Sequence, residues 1–190
     1  MGLTMAFILA LLVLTFQQPA KPPVILAIGD SMTAGYGVAI EVSYPAQLQK
    51  ELDNRGYKYR VVNQGVTGST TIQALSRLNR GLALSPDIVI IQLGGNDASQ
   101  GIPQNISRET LRTMIERFKP GGARIFLAGG RFPYLDELAR EENLQVIPFL
   151  EDVAGHPELL LDDGHHPRGD GYAVVVRNVF RALEPFLRAR

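Results

Sequence analysis

From Lys21 onward, short apolar runs alternate with longer amphipathic stretches along the chain. The apolar runs are rich in β-branched residues, which is typical of strands buried on both faces of a sheet. These runs cover residues 24–28, 59–62, 88–93, 125–128 and 145–147. The amphipathic stretches and their flanking cap residues predict helices near residues 44–55, 71–84, 107–118, 134–142 and 171–188.

Strands that alternate with helices predict an α/β fold. Because the connections between parallel strands are right-handed, the pattern predicts a flavodoxin-like three-layer sandwich with a five-stranded parallel sheet in the order 2-1-3-4-5. In that order a crevice opens at the carboxyl ends of strands 1 and 3, where we expect the functional site. The chain shows no internal repeat or linker, so residues 23–190 are predicted to form a single domain.

The first 22 residues differ in composition from the rest. Residues 5–16 are continuously apolar and are followed by the sequence QQPAKPP. The run is shorter than the roughly 20 residues that cross a bilayer, and its length is typical of a signal peptide. Residues 1–22 are therefore predicted to be a signal peptide of an exported protein, periplasmic or secreted. The alternatives are an uncleaved anchor, which would keep the protein near a membrane, and a packed N-terminal helix.

Composition narrows the classes of partner. The 19 basic and 19 acidic side chains balance, so no basic surplus indicates a nucleic-acid partner. The absence of cysteine excludes disulfides and thiolate chemistry. We therefore expect a small-molecule partner bound at a defined site.

Three unusual loops follow the first three predicted strands. They read GDSMTAGYG, NQGVTGST and GGNDASQG. Ser31 in the first loop is a candidate nucleophile, which requires a histidine base and a carboxylate that orients it. The sequence DDGHHP near the C-terminus offers two such pairs by spacing, and these are Asp162/His165 and Asp163/His166.

Acyl transfer also needs donors for a developing oxyanion. Asn96 can offer its side-chain amide, and Gly68 can offer its backbone N–H. The N–H of Ser31 is the third candidate donor. Asp30 and Asp97 are interpreted as structural residues of their loops, and His156 as a loop residue.

The blocks GDSMTAGYG, VTGST, GGND and DDGHHP resemble, in order and spacing, those of the GDSL/SGNH hydrolases. Residues 24–188 are similar to the thioesterase I/lysophospholipase/arylesterase branch of that family. The resemblance implies that the catalytic histidine directly precedes Pro167, which selects His166 with Asp163 as partners of Ser31. It also implies Gly68, Asn96 and Ser31 as oxyanion donors.

What the resemblance implies about activity is a serine esterase without metal or other cofactor. Its substrates would be carboxylic esters or thioesters, such as an aryl ester, a lysophospholipid or an acyl thioester, cleaved through an acyl-enzyme. The stretch 129–148 is shorter than in this branch, where it helps to shape the acyl-binding wall. The sequence therefore leaves the preferred acyl length open.

Other functions remain possible from the same residues. A carbohydrate O-acetyl esterase would use identical chemistry, and an acyl- or sugar-binding protein would use the crevice without turnover. Ser31 and Asn96 alone would be ordinary turn residues, and the DDGHH cluster alone would be a candidate metal site. A nucleotide site is disfavoured because neither phosphate-binding glycine motif follows strand 1.

Overall fold

A five-stranded parallel sheet forms the centre of the part of the chain that the computed structural model describes, residues 21–129 and 132–188. Its strands are β1 (Val24–Gly29), β2 (Arg60–Gly65), β3 (Ile88–Gln92), β4 (Arg124–Ala128) and β5 (Gln145–Ile147). They lie in the order β2-β1-β3-β4-β5, so the predicted flavodoxin-like topology is confirmed.

Helices cover both faces of the sheet and complete the three layers. They are α1 (Ser31–Ala34), α2 (Tyr44–Asn54), α3 (Thr71–Ser76), α4 (Leu78–Leu82), α5 (Gly95–Ser99), α6 (Gln104–Phe118), α7 (Pro133–Glu141) and α8 (Gly169–Leu183). Helices α2 and α8 pack on one face, and α3, α4, α6 and α7 pack on the other.

Strand β1, which lies between β2 and β3, has no polar residue in its sequence. All six of its residues are buried. Ile25 and Ala27 contribute to the core beneath α2 and α8, whereas Leu26 and Ile28 contribute to the core on the opposite face. A strand with a hydrophobic layer on each side reads as a continuous apolar run because successive side chains alternate between the two faces.

The register of the strands aligns the ends of β1, β2 and β3. Gly29 at the end of β1 is paired with Gly65 of β2 and with Gln92 of β3. The loops that follow these strands therefore begin at the same level of the sheet. This alignment places the three unusual loops together at the crevice.

Several helix boundaries differ from the predicted ones. The single helix predicted over residues 71–84 is two short helices, α3 and α4, which meet at Arg77. At this junction the Arg77 N–H bonds to the carbonyl of Ala74, three residues back, which interrupts the α-helical ladder. Periodicity could not show the break because Ala74 and Leu78 on either side face the same core.

Two further differences concern the bounds of helices. The loop GGND contains the start of a short helix, α5, and α8 ends at Leu183 rather than at residue 188. A 3-10 turn with Pro185 follows α8, because proline lacks the N–H that would continue the helix.

The expectations for the N-terminal segment largely concern residues 1–20, which lie outside the described residues. Among the helices within 21–129 and 132–188, none combines the length and the hydrophobicity that a bilayer crossing requires.

Candidate active site

Ser31 lies at the carboxyl end of strand β1, as the first residue of α1. The preceding residue, Asp30, is the N-cap of this helix, and its side chain accepts the N–H of Met32 at 3.0 Å. The GDS turn predicted as a loop is therefore a strand-to-helix junction. It exposes the serine hydroxyl at the end of the sheet, where the loops meet.

Neighbouring strands hold α1 in place. The Thr33 hydroxyl donates to Oε1 of Gln92 at the end of β3, at 2.9 Å. On the other side, Nδ2 of Asn63 in β2 donates to the carbonyl of Thr33 at 3.0 Å. Polar contacts from both strands beside β1 thus fix the orientation of the helix that carries Ser31.

His166 joins Ser31 to Asp163 through two hydrogen bonds in series. Its Nε2 lies 2.8 Å from Oγ of Ser31, and its Nδ1 lies 2.7 Å from Oδ2 of Asp163. Ser31 and His166 are 135 positions apart in the sequence. The fold therefore brings together a hydroxyl, an imidazole and a carboxylate in the arrangement used for nucleophilic acyl transfer.

The loop itself fixes the Asp163 carboxylate. Its Oδ1 accepts the backbone N–H groups of His165 and His166, each at 2.9 Å. Hydrogen bonds lower the pKa of Asp163 to about 2. The largest contribution comes from the N–H of His166, and the next come from its ring and from the N–H of His165. A carboxylate with these donors remains ionised at neutral pH and can orient the imidazole.

The alternative pair from the sequence does not reach Ser31 in the same way. Asp162 is exposed, and its carboxylate lies 3.9 Å from the guanidinium of Arg168. His165 lines the cavity beside Ser31, and its ring meets that of His166 nearly edge-on at a centroid distance of 5.4 Å. The Asp163/His166 pair is thus the one bonded to the serine.

The candidate oxyanion donors come from three loops. Asn96 lies in the first turn of α5, and its Nδ2 donates to the carbonyl of Ser69 at 3.1 Å. This bond links the Asn96 loop to the loop of Gly68. Because a carboxamide nitrogen has two hydrogens, a second N–H remains for a ligand. The N–H of Ser31, at the first position of a helix, is not used by the helical ladder.

Gly68 is exposed in the loop after β2 and has a φ of +79°. This left-handed conformation strains other residues, whereas a side chain there would meet nothing within 4 Å. Glycine is therefore required by its backbone angle rather than by crowding. Gly68 is not among the residues lining the cavity at Ser31, and its link to the site passes through Ser69 and Asn96.

Asp97, interpreted as a structural residue, is buried beside Asn96. Its carboxylate accepts the N–H of Thr71 at 2.9 Å and the Ser107 hydroxyl at 2.9 Å. It therefore ties the start of α3 and the first turns of α6 to the loop that presents Asn96.

Asp30 has a different environment from Asp163. Its side chain is buried, and this burial raises its pKa above the usual value. The N–H of Met32, the side chain of Gln92 and the charge of His166 partly offset that effect. Gln92 was not recognised from the sequence, where it lies inside the apolar run of residues 88–93.

A cavity of about 530 Å³ opens beside Ser31. Asn96, His165 and His166 lie on its wall with the serine. Much of the rest of its surface is apolar and comes from Leu93, Ala128, Phe132, Leu135, Phe149 and Leu150. A mainly apolar cavity with a few convergent polar groups is typical of a small-molecule site and suits an acyl or aryl group.

No group of three or more histidine, cysteine, aspartate or glutamate side chains is placed to hold a metal ion within residues 21–129 and 132–188.

The family described as GDSL-like lipase/acylhydrolase matches residues 27–174, which is most of the chain. The chain belongs to this family. Similar curated proteins include esterase TesA of Pseudomonas aeruginosa, 34% identical over 94% of this chain and 96% of its own length. An arylesterase of Vibrio mimicus is 34% identical over 84% of this chain and 87% of its own length. The thioesterase 1/protease 1/lysophospholipase L1 of Escherichia coli is 30% identical over 94% and 91%.

The fold agrees with this membership. A crystal structure of TesA superposes with a TM-score of 0.80 at 32% identity, covering 86% of this chain and 99% of that one. The family and branch predicted from the four sequence blocks are therefore confirmed. The chain is a GDSL-type esterase.

Proposed function

We propose that Ser31, His166 and Asp163 are the catalytic triad of this esterase. The observation that carries the proposal is the unbroken pair of hydrogen bonds from Ser31 Oγ to His166 and from His166 to Asp163, 2.8 and 2.7 Å long. A serine hydroxyl becomes an effective nucleophile only when a base can accept its proton.

In the first step, Oγ of Ser31 attacks the carbonyl carbon of the ester while Nε2 of His166 takes the hydroxyl proton. A tetrahedral oxyanion forms, which the N–H groups of Ser31, Gly68 and the Asn96 amide stabilise. The imidazolium then donates its proton to the departing alcohol or thiol, and the carbonyl re-forms as an acyl ester on Ser31. Asp163 remains ionised throughout and stabilises the imidazolium.

In the second step, His166 removes a proton from water, which attacks the acyl ester. The same donors hold the second oxyanion. Collapse releases the carboxylic acid and returns the proton from His166 to Oγ of Ser31, so the enzyme is regenerated. Each proton that leaves the serine or the water is carried by one imidazole nitrogen, and the cycle needs no cofactor.

The substrate class we propose is a carboxylic ester or thioester with an apolar acyl or aryl group. The aliphatic and aromatic wall of the 530 Å³ cavity supports this choice, because it can bury such a group next to Ser31. The names of the related esterase, arylesterase and thioesterase agree with it.

The test is hydrolysis of p-nitrophenyl acetate, butyrate and octanoate by residues 21–190, with EDTA present. We expect activity in the wild type and its loss by several orders of magnitude in Ser31→Ala and in His166→Ala, with both variants folded. Ser76→Ala, which removes an exposed hydroxyl on α3 outside this cavity, is the matched control and should stay active.

Three results would contradict the proposal. Full activity in folded Ser31→Ala would exclude the serine mechanism. Activity on acetylated sugars but on none of the aryl esters would replace the apolar substrate class with a carbohydrate O-acetyl esterase, and tight binding of esters without turnover would indicate a binding protein.

We also propose that residues 1–22 direct export. The continuous apolar run over residues 5–16 supports this role. Expression of the full chain in a Gram-negative host, followed by N-terminal sequencing of the periplasmic and membrane fractions, tests it. A cytoplasmic protein that retains Met1 would contradict export, and a membrane-bound one that retains Met1 would indicate an anchor.

A further inference from the structure

Tyr36 presents an aromatic ring that is 48% exposed at the edge of the proposed site. The centroid of this ring lies 4.7 Å from that of the His166 imidazole, with the two planes tilted by 46°. An aromatic side chain left half in water gains less from burial than a core residue. Its closest described aromatic neighbour is the imidazole bonded to Ser31.

The backbone of Tyr36 is tied to the nucleophile. The N–H groups of Gly35 and Tyr36 both donate to the carbonyl of Ser31 at 3.0 Å. The side chain of Tyr36 therefore starts from the turn that carries the serine and extends to the histidine. It connects two segments that are far apart in the sequence.

A second contact joins the same two segments. A Cβ on Gly37 would lie 2.3 Å from Cδ1 of Leu161, so the loop after α1 packs directly against the histidine loop. The N–H of Leu161 in turn donates to the carbonyl of His166 at 2.8 Å. These contacts hold the main chain at Tyr36 next to the loop that carries His166, so the Tyr36 ring can reach the imidazole.

The imidazole of His166 can turn about its Cα–Cβ and Cβ–Cγ bonds. The hydrogen bond between Nδ1 and Oδ2 of Asp163 restrains one side of the ring. A turn of the ring moves Nε2 away from Oγ of Ser31, from which it lies 2.8 Å. The Tyr36 ring lies against the imidazole at 4.7 Å, closer than the His165 ring at 5.4 Å, and so restricts this turn.

We propose that Tyr36 is a positioning residue that holds the His166 ring at the angle at which Nε2 reaches Ser31. The inference rests on the proposed triad. The aromatic ring of the tyrosine provides the effect, and its hydroxyl is not required.

The test compares Tyr36→Ala and Tyr36→Phe by steady-state kinetics on p-nitrophenyl butyrate. Because small misplacements of a catalytic group cost about 10- to 100-fold in rate, Tyr36→Ala should lower kcat by this factor. KM should change by less than about twofold, since ground-state binding is untouched. Tyr36→Phe should keep kcat at the wild-type value. The control is Ile40→Ala, which removes a 65% exposed apolar side chain from the following turn and should leave kcat unchanged.

A second readout does not depend on turnover. In a Ser31→Ala background, the Nδ1 proton shared by His166 and Asp163 should give a far-downfield NMR signal. Tyr36→Ala should broaden or remove this signal because the looser ring exchanges its proton with water faster, whereas Tyr36→Phe should preserve it.

Each contrary result has a distinct meaning. An unchanged kcat and an unchanged signal in Tyr36→Ala would overturn the positioning role, and so would a rise in KM alone, which would make Tyr36 a substrate contact. A kcat in Tyr36→Phe as low as in Tyr36→Ala would assign the effect to the hydroxyl. Failure of the triad itself would appear separately, as full activity in Ser31→Ala.

Discussion

Asp30 and Asp163 both belong to the site, one next to Ser31 in the chain and the other bonded to His166, but their surroundings are opposite. Asp30 is 3% exposed, and burial raises its pKa. Asp163 is exposed, and its hydrogen bonds with His165 and His166 lower its pKa to about 2. Asp30 has a buried backbone donor, whereas Asp163 has two backbone donors and an imidazole.

The two halves of the site are therefore stabilised differently. The serine half, around Ser31, packs against the core, because its N-cap residue Asp30 is buried. The histidine half is a surface loop organised by its own hydrogen bonds. We therefore expect substitutions in the loop around Ser31 to lower the folding stability. Substitutions of Asp163 should lower the reaction rate with little change in stability.

The largest expected effect is that of Asp163→Asn. An amide cannot stabilise the imidazolium as a carboxylate does, and it favours the wrong imidazole tautomer, so kcat should fall by about 10⁴-fold. The melting temperature should stay close to that of the wild type, because the amide oxygen of the variant can still accept the backbone N–H groups of His165 and His166. Asp162→Asn, which changes the neighbouring exposed carboxylate, is the matched control and should remain active. A much lower melting temperature of Asp163→Asn would contradict the expected difference in stability between the two halves.

Asn96→Ala tests whether the rate effect extends to the oxyanion donors. Loss of one donor should lower kcat by about 10²- to 10³-fold, with a smaller effect on KM. Kinetics on p-nitrophenyl butyrate measures both, and Gln100→Ala, an exposed carboxamide just after α5, is the control. A kcat within a few-fold of the wild type would remove Asn96 from the oxyanion site.

The converse experiment is Asp30→Ala in the serine half. It removes an N-cap and leaves the Met32 N–H without its side-chain acceptor, so the free energy of unfolding should drop by about 1–2 kcal/mol. Urea denaturation measures this loss, and Asp162→Ala should show little change. A loss of activity as large as that of Asp163→Asn, without any loss of stability, would show that Asp30 acts in the chemistry.

The smallest effect concerns pH. Because the pKa of Asp30 is raised by folding, the folded protein binds its proton more tightly than the unfolded chain. Wild-type stability should therefore increase relative to Asp30→Asn as pH falls through this raised pKa, and the gain should be complete below the unfolded pKa of about 3.9. Asp163 has the opposite sign, since its contribution is present above about pH 3.9 and is lost towards pH 2. Urea midpoints measured between pH 7 and pH 4 test the Asp30 effect, and a difference between the wild type and Asp30→Asn that does not change with pH would contradict it.

Much of the fold could be predicted because the strands are buried on both faces. The runs that became β1 and β3 have apolar residues at nearly every position, which a helix or a half-exposed strand would not show. The boundaries that failed depend on single hydrogen bonds or on one residue, as at Arg77 and Pro185. Such details do not alter the hydrophobic period from which the prediction was made.

The sequence alone determined which reactive groups are available at the site. Ser31 and Asn96 follow predicted strands, and the DDGHHP block precedes the last helix. Spacing could not choose between His165 and His166, because both have an aspartate three residues earlier. The resemblance to the GDSL/SGNH hydrolases selects His166, which directly precedes Pro167, and only the tertiary structure shows this imidazole meeting Ser31, 135 positions away. The same holds for the Gln92 support of α1 and for the Tyr36 ring against His166. Contacts between distant segments depend on how the strands align and how the loops pack, and neither is encoded in a local pattern.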